Sequence, residues 1–166
     1  MESDRRYIYA TFLWRLLAYI VDQLIILIPT FLIFITLGVL IGSVAPDVSA
    51  ANMEGLANLI GLIISWLYYA TLESSGLQAS WGKALFGMKV TDIRGGRITF
   101  TRATIRYFSK ILSGLVFLIG YLMTLFTPKK QALHDYIAGT LVLKRVEDQN
   151  IADFRDSDPR FFRALP

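Results

Sequence analysis

Three long stretches without charged residues dominate this chain of 166 residues. They run from Leu24 to Ala45, from Gly55 to Leu72 and from Ile111 to Thr127. A bilayer core of about 30 Å requires roughly 20 apolar residues in a helix that rises about 1.5 Å per residue. The first stretch meets this length, the second approaches it and the third is marginal. The first is also too long for the apolar region of a signal peptide and lacks a small-x-small cleavage site.

The pattern therefore predicts a membrane all-α fold, a bundle of about three hydrophobic helices. We assign residues 1–144 to one membrane domain, with hydrophobic segments at about 14–42, 55–73 and 104–127. Residues 145–166 form a polar C-terminal tail, in which we find no functional motif.

The composition agrees with a membrane protein and excludes several classes of chemistry. The chain is 54% hydrophobic and 18% charged, whereas about a quarter of the residues in a soluble domain are charged. It has no cysteine, which excludes disulfides and thiol catalysis. It also lacks a metalloprotease helix motif, a phosphate-binding glycine loop and a serine elbow. We expect no enzyme activity, no cofactor, no metal site and no nucleic-acid partner.

The distribution of basic residues predicts the topology. The loop from Ser43 to Glu54 contains two acidic residues and no Lys or Arg, while basic residues flank the first two hydrophobic stretches on their other sides. The positive-inside rule places the N-terminus in the cytoplasm, this loop outside and the segment after Leu72 inside. We therefore expect a multi-pass protein of the plasma (inner) membrane.

The third hydrophobic stretch has basic residues at both ends, so it either spans the membrane or dips in and returns. Residues at about 86–100 predict a cytoplasmic β-hairpin, with strands at Met88–Ile93 and Ile98–Phe100 around a turn at Arg94–Arg97. Two strands alone are marginally stable in water. Thr140–Leu143 is suited to be a third strand, but only if it lies on the same side. We favour the re-entrant form and a cytoplasmic C-terminus.

A basic amphipathic helix is predicted after the hairpin. Arg102, Arg106 and Lys110 recur every four residues, with Tyr107 and Phe108 on the other side. Such a helix suits the surface of an anionic cytoplasmic leaflet, so anionic lipid is an expected partner beside the bilayer itself.

Charged residues inside or beside the hydrophobic stretches are the candidate functional residues. Asp22 directly precedes the first stretch and is therefore expected inside the membrane or at its edge. An ionised side chain at the centre of a membrane helix costs about 2.5–3.5 kcal/mol. Arg15 is seven residues away, about 10 Å along the helix, so each needs a partner from elsewhere. We expect Arg15 to pair with Asp135. Secondary candidates are Glu73, Lys83, Arg106 and the single histidine, His134.

These residues resemble the signature of the RDD family of small membrane proteins, which is named for one arginine and two aspartates. The matching residues are Arg15, Asp22 and Asp135, the last within Leu-His-Asp ahead of Ala-Gly-Thr. The resemblance extends from about Trp14 to Leu143. It departs at residues 80–83, where Ser-Trp-Gly-Lys stands in place of the common Thr-Pro-Gly-Lys.

The resemblance implies a role in transport, since some members of the family are credited with exchanging sodium or other monovalent cations for protons. Here Asp22 would alternate between proton and ion, and three hydrophobic segments would need an oligomer to form a pathway. The alternative is an accessory or assembly subunit, in which Arg15, Asp22 and Asp135 form a structural network. Either role predicts a homo-oligomer or a subunit of a membrane complex.

Overall fold

The computed structural model describes residues 7–44, 49–115 and 119–146, and in this part of the chain six helices accompany three short strands. In chain order these elements are β1 (Tyr7–Tyr9), α1 (Phe12–Val44), α2 (Ala50–Ser74), α3 (Trp81–Leu85), β2 (Met88–Asp92), α4 (Phe100–Leu115), α5 (Ile119–Phe126), α6 (Leu133–Ala138) and β3 (Thr140–Arg145). Strand β3 includes the first residue of the predicted tail. Residues 147–166 of that tail lie outside the described part of the chain.

Helices α1 and α2 are long and apolar enough to cross a membrane. Within α1 the buried residues are Ala18 and Asp22, whereas most of its large apolar side chains are exposed in the isolated chain. A soluble protein rarely leaves so large an apolar surface open to water. The exposed faces of these two helices are therefore suited to lipid or to neighbouring membrane helices.

The third hydrophobic segment is not one continuous helix. Helix α5 returns along α4: the Tyr121 hydroxyl donates to the Lys110 carbonyl at 3.4 Å. A Cβ on Gly120 would stand 2.9 Å from the Ser113 Cα. Because later residues of α5 lie beside earlier residues of α4, the two helices run antiparallel to each other. The described residues of this segment thus form two helices, and residues 116–118 lie outside the described ranges.

The three strands form one antiparallel sheet in the order β1-β3-β2. Strand β3 pairs with β2 in the register Val90↔Val142 and with β1 in the register Ile8↔Lys144. The predicted pairing of the C-terminal strand with Met88–Ile93 is confirmed. The sequence did not predict β1.

The predicted return strand at Ile98–Phe100 is wrong. Only an isolated bridge, Thr91↔Arg97, closes the turn after β2. Thr99 instead caps α4: its hydroxyl accepts a hydrogen bond from the Arg102 amide at 3.3 Å, and its carbonyl accepts one from the Ala103 amide at 3.0 Å. Residues that would have formed the return strand therefore cap and begin helix α4 instead.

The core lies between this sheet and the adjoining ends of the helices. Its fully buried side chains come from all three strand regions and from α1, α2 and α4, and include Ala10, Ala70, Val90, Ala103 and Val142. The beginning of α1, the end of α2 and the beginning of α4 are therefore on the same side of the molecule as the sheet.

Helix α4 turns its charged side inwards. Arg106 is buried, whereas Ile105, Phe108 and Ile111 are each between 44% and 50% exposed. The structure differs here from the predicted surface helix, in which Arg106 would face the membrane surface. The reason is electrostatic, because two buried carboxylates lie within reach of its guanidinium. Arg102 stays exposed and lies 3.9 Å from Asp92.

Candidate functional site

Asp22 is fully buried, and three protein groups donate hydrogen bonds to it. Its Oδ1 accepts from the Tyr68 hydroxyl at 2.8 Å and from the Gly82 amide at 2.7 Å. Its Oδ2 accepts from the Ser80 hydroxyl at 2.5 Å. The Tyr68 hydroxyl in turn accepts from the Trp81 amide at 3.2 Å. The Gly82 amide of α3 thus binds Asp22 directly, and the Trp81 amide binds it through the Tyr68 hydroxyl. Asp22, although it belongs to α1, therefore acts as the N-terminal cap of α3.

Close backbone contact makes this cap possible. An added Cβ on Gly82 would stand 2.2 Å from the Ala18 carbonyl oxygen and 2.9 Å from the Asp22 carboxyl carbon. Only glycine allows α3 to approach α1 so closely. Within the described part of the chain no cation lies within 4 Å of the Asp22 carboxylate, so its charge is balanced by dipoles rather than by an ion pair.

Asp135 is also fully buried, and it meets Arg15. The Arg15 Nη1 contacts Asp135 Oδ2, its Nη2 donates to the Lys130 carbonyl at 2.7 Å, and its Nε donates to the Ala10 carbonyl at 3.1 Å. Asp135 occupies the first turn of α6, and its Oδ2 accepts the Ala132 amide at 3.3 Å. The predicted pairing of Arg15 with Asp135 is confirmed.

Arg106 joins Asp135 to Glu73. Its Nε donates to Asp135 Oδ1 at 2.8 Å and its Nη1 donates to Glu73 Oε2 at 2.6 Å. The other Glu73 oxygen accepts from Lys83 Nζ. Lys83, Glu73, Arg106, Asp135 and Arg15 thus form a continuous chain of alternating charge, which we call the ionic network.

The ionic network connects five helices, since its five members come one each from α1, α2, α3, α4 and α6. Burial of each charge is costly, and only near-complete pairing offsets that cost. Burial lowers the pKa of Lys83, and Glu73 opposes this effect. For Asp135 burial alone would raise the pKa, but Arg15 and Arg106 outweigh it and hold the pKa well below its ordinary value.

His134 borders the ionic network as a neutral side chain. Its Nδ1 lies 3.4 Å from the Ser113 hydroxyl and its Nε2 lies 3.6 Å from Asp135 Oδ1. The ring packs against Tyr121 with 5.3 Å between centroids. Burial lowers the pKa of His134 to about 3, although Asp135 favours the charged form. At neutral pH it is therefore a packing and hydrogen-bonding group.

The structure divides the predicted site residues into two groups. Arg15 and Asp135 belong to the ionic network together with the secondary candidates Glu73, Lys83 and Arg106. Asp22 does not join them, since its partners are the residues that begin α3. Across the described residues no group of three or more metal-binding side chains forms.

Sequence reasoning missed Tyr68 and Ser80 as partners of Asp22. A signal existed for Ser80, because serine before a short apolar segment is a typical helix N-cap. Its hydroxyl makes no cap bond within α3 and donates to Asp22 instead. Nothing in the sequence singles out Tyr68.

Comparison with known proteins identifies one matching family and three relatives, each of which is called uncharacterized. The RDD family model matches residues 9–139. An uncharacterized protein of Bacillus subtilis (strain 168), YxaI, is 38% identical over 146 residues, covering 81% of this chain and 96% of the relative. The uncharacterized membrane protein YteJ of the same organism is 32% identical over 87 residues, which are 49% of each chain.

A third relative, the uncharacterized protein RP437 of Rickettsia prowazekii (strain Madrid E), is 39% identical over 83 residues, or 49% of this chain and 41% of that protein. The chain thus spans nearly all of the first relative and about half or less of the other two. No solved structure matches.

Proposed function

The chain belongs to the RDD family, and from this premise we propose that it is a non-catalytic accessory or assembly subunit of a membrane complex. The proposal rests on one observation: each of the three carboxylates buried in the described part of the chain already has two or more protein partners that donate hydrogen bonds or form ion pairs with it. Asp22 has three protein donors, Glu73 has two cationic partners and so has Asp135. Groups held in this way fix the packing of helices.

The rival function is exchange of a monovalent cation for a proton. An exchanging carboxylate must be reached by water and must release one ligand before it takes another. Asp22 is fully buried, and to bind a cation it would have to exchange the donors that cap α3 for an ion. Both carboxylate oxygens already accept hydrogen bonds from these donors, so a cation would have to displace at least one of them.

Partners of the assembly role are suggested by the exposed helix faces. Helix α1 exposes large apolar side chains along most of its length, including Leu17, Leu24, Leu32 and Leu40. Such a face can be covered by lipid or by a neighbouring helix, and helices associate in a membrane where their surfaces pack closely. A second copy of the chain or helices of another membrane protein would cover them, as an accessory subunit requires.

We further propose that the protein lies in the plasma (inner) membrane with its N-terminus and sheet in the cytoplasm. The exposed side chains near the sheet include Arg94, Arg97 and Arg102, and the opposite end around Ser49 has no basic residue from Ser43 to Glu54. The positive-inside rule favours this orientation.

Ion-driven proton movement in proteoliposomes tests the proposal. Folded wild-type protein should give no pH change upon addition of sodium, potassium or lithium with either polarity of the gradient. Glu54→Gln, which removes an exposed carboxylate from α2, is the matched control for Asp22→Asn. A cation-driven pH change that persists in Glu54→Gln and disappears in folded Asp22→Asn would establish the exchanger instead.

Complex size provides the positive test. Protein produced at its natural level and extracted in mild detergent should elute in a larger particle than the same protein purified alone. Equal sizes would contradict the assembly role, whatever the flux experiment gives.

A further inference from the structure

A groove of about 740 Å³ opens beside the start of α1. Its walls come from the N-terminal part of α1 with the strand before it, from the end of α3 and from the end of β3. Gly87, between α3 and β2, also lines it and adopts the left-handed region with φ +65°. No part of this groove belongs to the ionic network or to the cap around Asp22.

One wall of the groove is aromatic and apolar. The rings of Trp14 and Phe86 pack at a tilt of 52° with 5.7 Å between their centroids, and Leu85, which also lines the groove, is 70% exposed. Trp14 is in the first turn of α1, and tryptophan is enriched at membrane–water interfaces. An aromatic and apolar wall at this end of a long apolar helix is suited to the acyl chains of a lipid.

The other wall is cationic. Lys144 Nζ stands 3.7 Å from the centroid of the Trp14 ring, and Arg145 is exposed. Among the described residues that line the groove, none is acidic. Among the described residues neither Lys144 nor Arg145 has a carboxylate within 4 Å. Thr11 adds a hydroxyl that makes no hydrogen bond to another described residue.

We propose that this groove binds an anionic phospholipid of the adjoining leaflet, with its phosphate at Lys144 and its chains along Leu85 and Trp14. Arg145, the next residue of the same strand, adds positive charge at the rim of the groove, and the two basic residues together attract a negatively charged headgroup. The aromatic wall selects a lipid over free phosphate, because only a lipid has an apolar part to bury there. This inference does not depend on whether the protein transports ions.

Lipid retention by purified full-length protein tests the proposal. Native mass spectrometry in detergent would compare added phosphatidylglycerol with phosphatidylcholine of the same acyl chains. The test variant is Lys144→Gln with Arg145→Gln. The control is Arg94→Gln with Arg97→Gln, which removes equal charge from exposed positions near the same sheet but outside the groove.

Wild type and control should retain phosphatidylglycerol in preference to phosphatidylcholine, and the groove variant should lose about thirtyfold in affinity. Equal retention by both double variants would overturn the proposal. Competition by millimolar inorganic phosphate would also overturn it, since the groove would then hold a free anion. If the double groove variant does not fold, Arg145→Gln against Arg97→Gln gives the same decision, because both side chains are exposed.

Discussion

Gly82 lies directly against Asp22, although 60 residues separate them: its amide donates to Asp22 Oδ1 at 2.7 Å. A Cβ at this position would lie 2.9 Å from the same carboxyl group and 2.2 Å from the Ala18 carbonyl oxygen. One contact therefore joins the long apolar helix α1 to the short helix α3. It accounts for the charge at Asp22 and for the glycine in the Gly-Lys pair.

Gly82→Ala should separate α3 from α1. The new methyl group overlaps backbone atoms, which cannot move as a side chain can, so we expect a loss of more than about 3 kcal/mol in the free energy of unfolding. Denaturation in detergent measures it. Gly76→Ala is the control, since an added Cβ there meets nothing within 4 Å and its φ is not positive. Equal stability of the two variants would contradict the close contact.

Arg106→Lys should weaken the ionic network although the charge is kept. Arg106 reaches Asp135 through Nε and Glu73 through Nη1. A lysine has one nitrogen and cannot occupy both positions, so one carboxylate loses a partner at a cost of about 2–4 kcal/mol. Arg102→Lys, at an exposed position, should change the free energy of unfolding by less than about 0.5 kcal/mol. Indistinguishable denaturation curves for the two variants would refute the bridging role.

His134 should make the protein sensitive to mild acid. Burial lowers its pKa to about 3 from an ordinary value of 6.5. Between these values the unfolded chain binds a proton that the folded protein does not. The free energy of unfolding therefore falls as pH drops from about 6.5 towards 3.

In His134→Gln the slope of stability against pH should be smaller by up to about 1.4 kcal/mol per pH unit. Tyr136→Phe, an exposed change on the same helix, is the control. Parallel pH curves for wild type and His134→Gln would show that the histidine is charged in the folded protein.

Labelling of single cysteines tests the topology, which the absence of native cysteine makes straightforward. We expect Ser49→Cys to react with an impermeant maleimide in intact cells. Arg97→Cys and Arg145→Cys should react only after permeabilisation, because β2 and β3 pair in one sheet. Labelling of Arg145→Cys but not Arg97→Cys from outside would mean that the third segment spans and that the sheet is not formed in the cell.

Local patterns in the sequence determined the hydrophobic helices and part of the sheet. A run of apolar residues long enough for a bilayer defines a membrane helix wherever its partners are, so α1 and α2 followed from length and charge alone. The strand at Thr140–Leu143 could be paired with Met88–Ile93 because two strands need a third. Arg15 and Asp135 could be paired because both were charged residues at the same predicted depth.

Tertiary structure decided how the remaining buried charges are satisfied. Spacing along α1 shows that Asp22 and Arg15 cannot meet, but not that the carboxylate caps a helix that begins at Trp81. From sequence alone, the basic side of α4 predicts a helix that lies on the membrane surface. The structure shows instead that Arg106 on this side is paired with the buried carboxylates of Glu73 and Asp135. A buried charge takes whatever donor or counter-charge the packing brings within about 3 Å, and that partner is set by the fold rather than by distance along the chain.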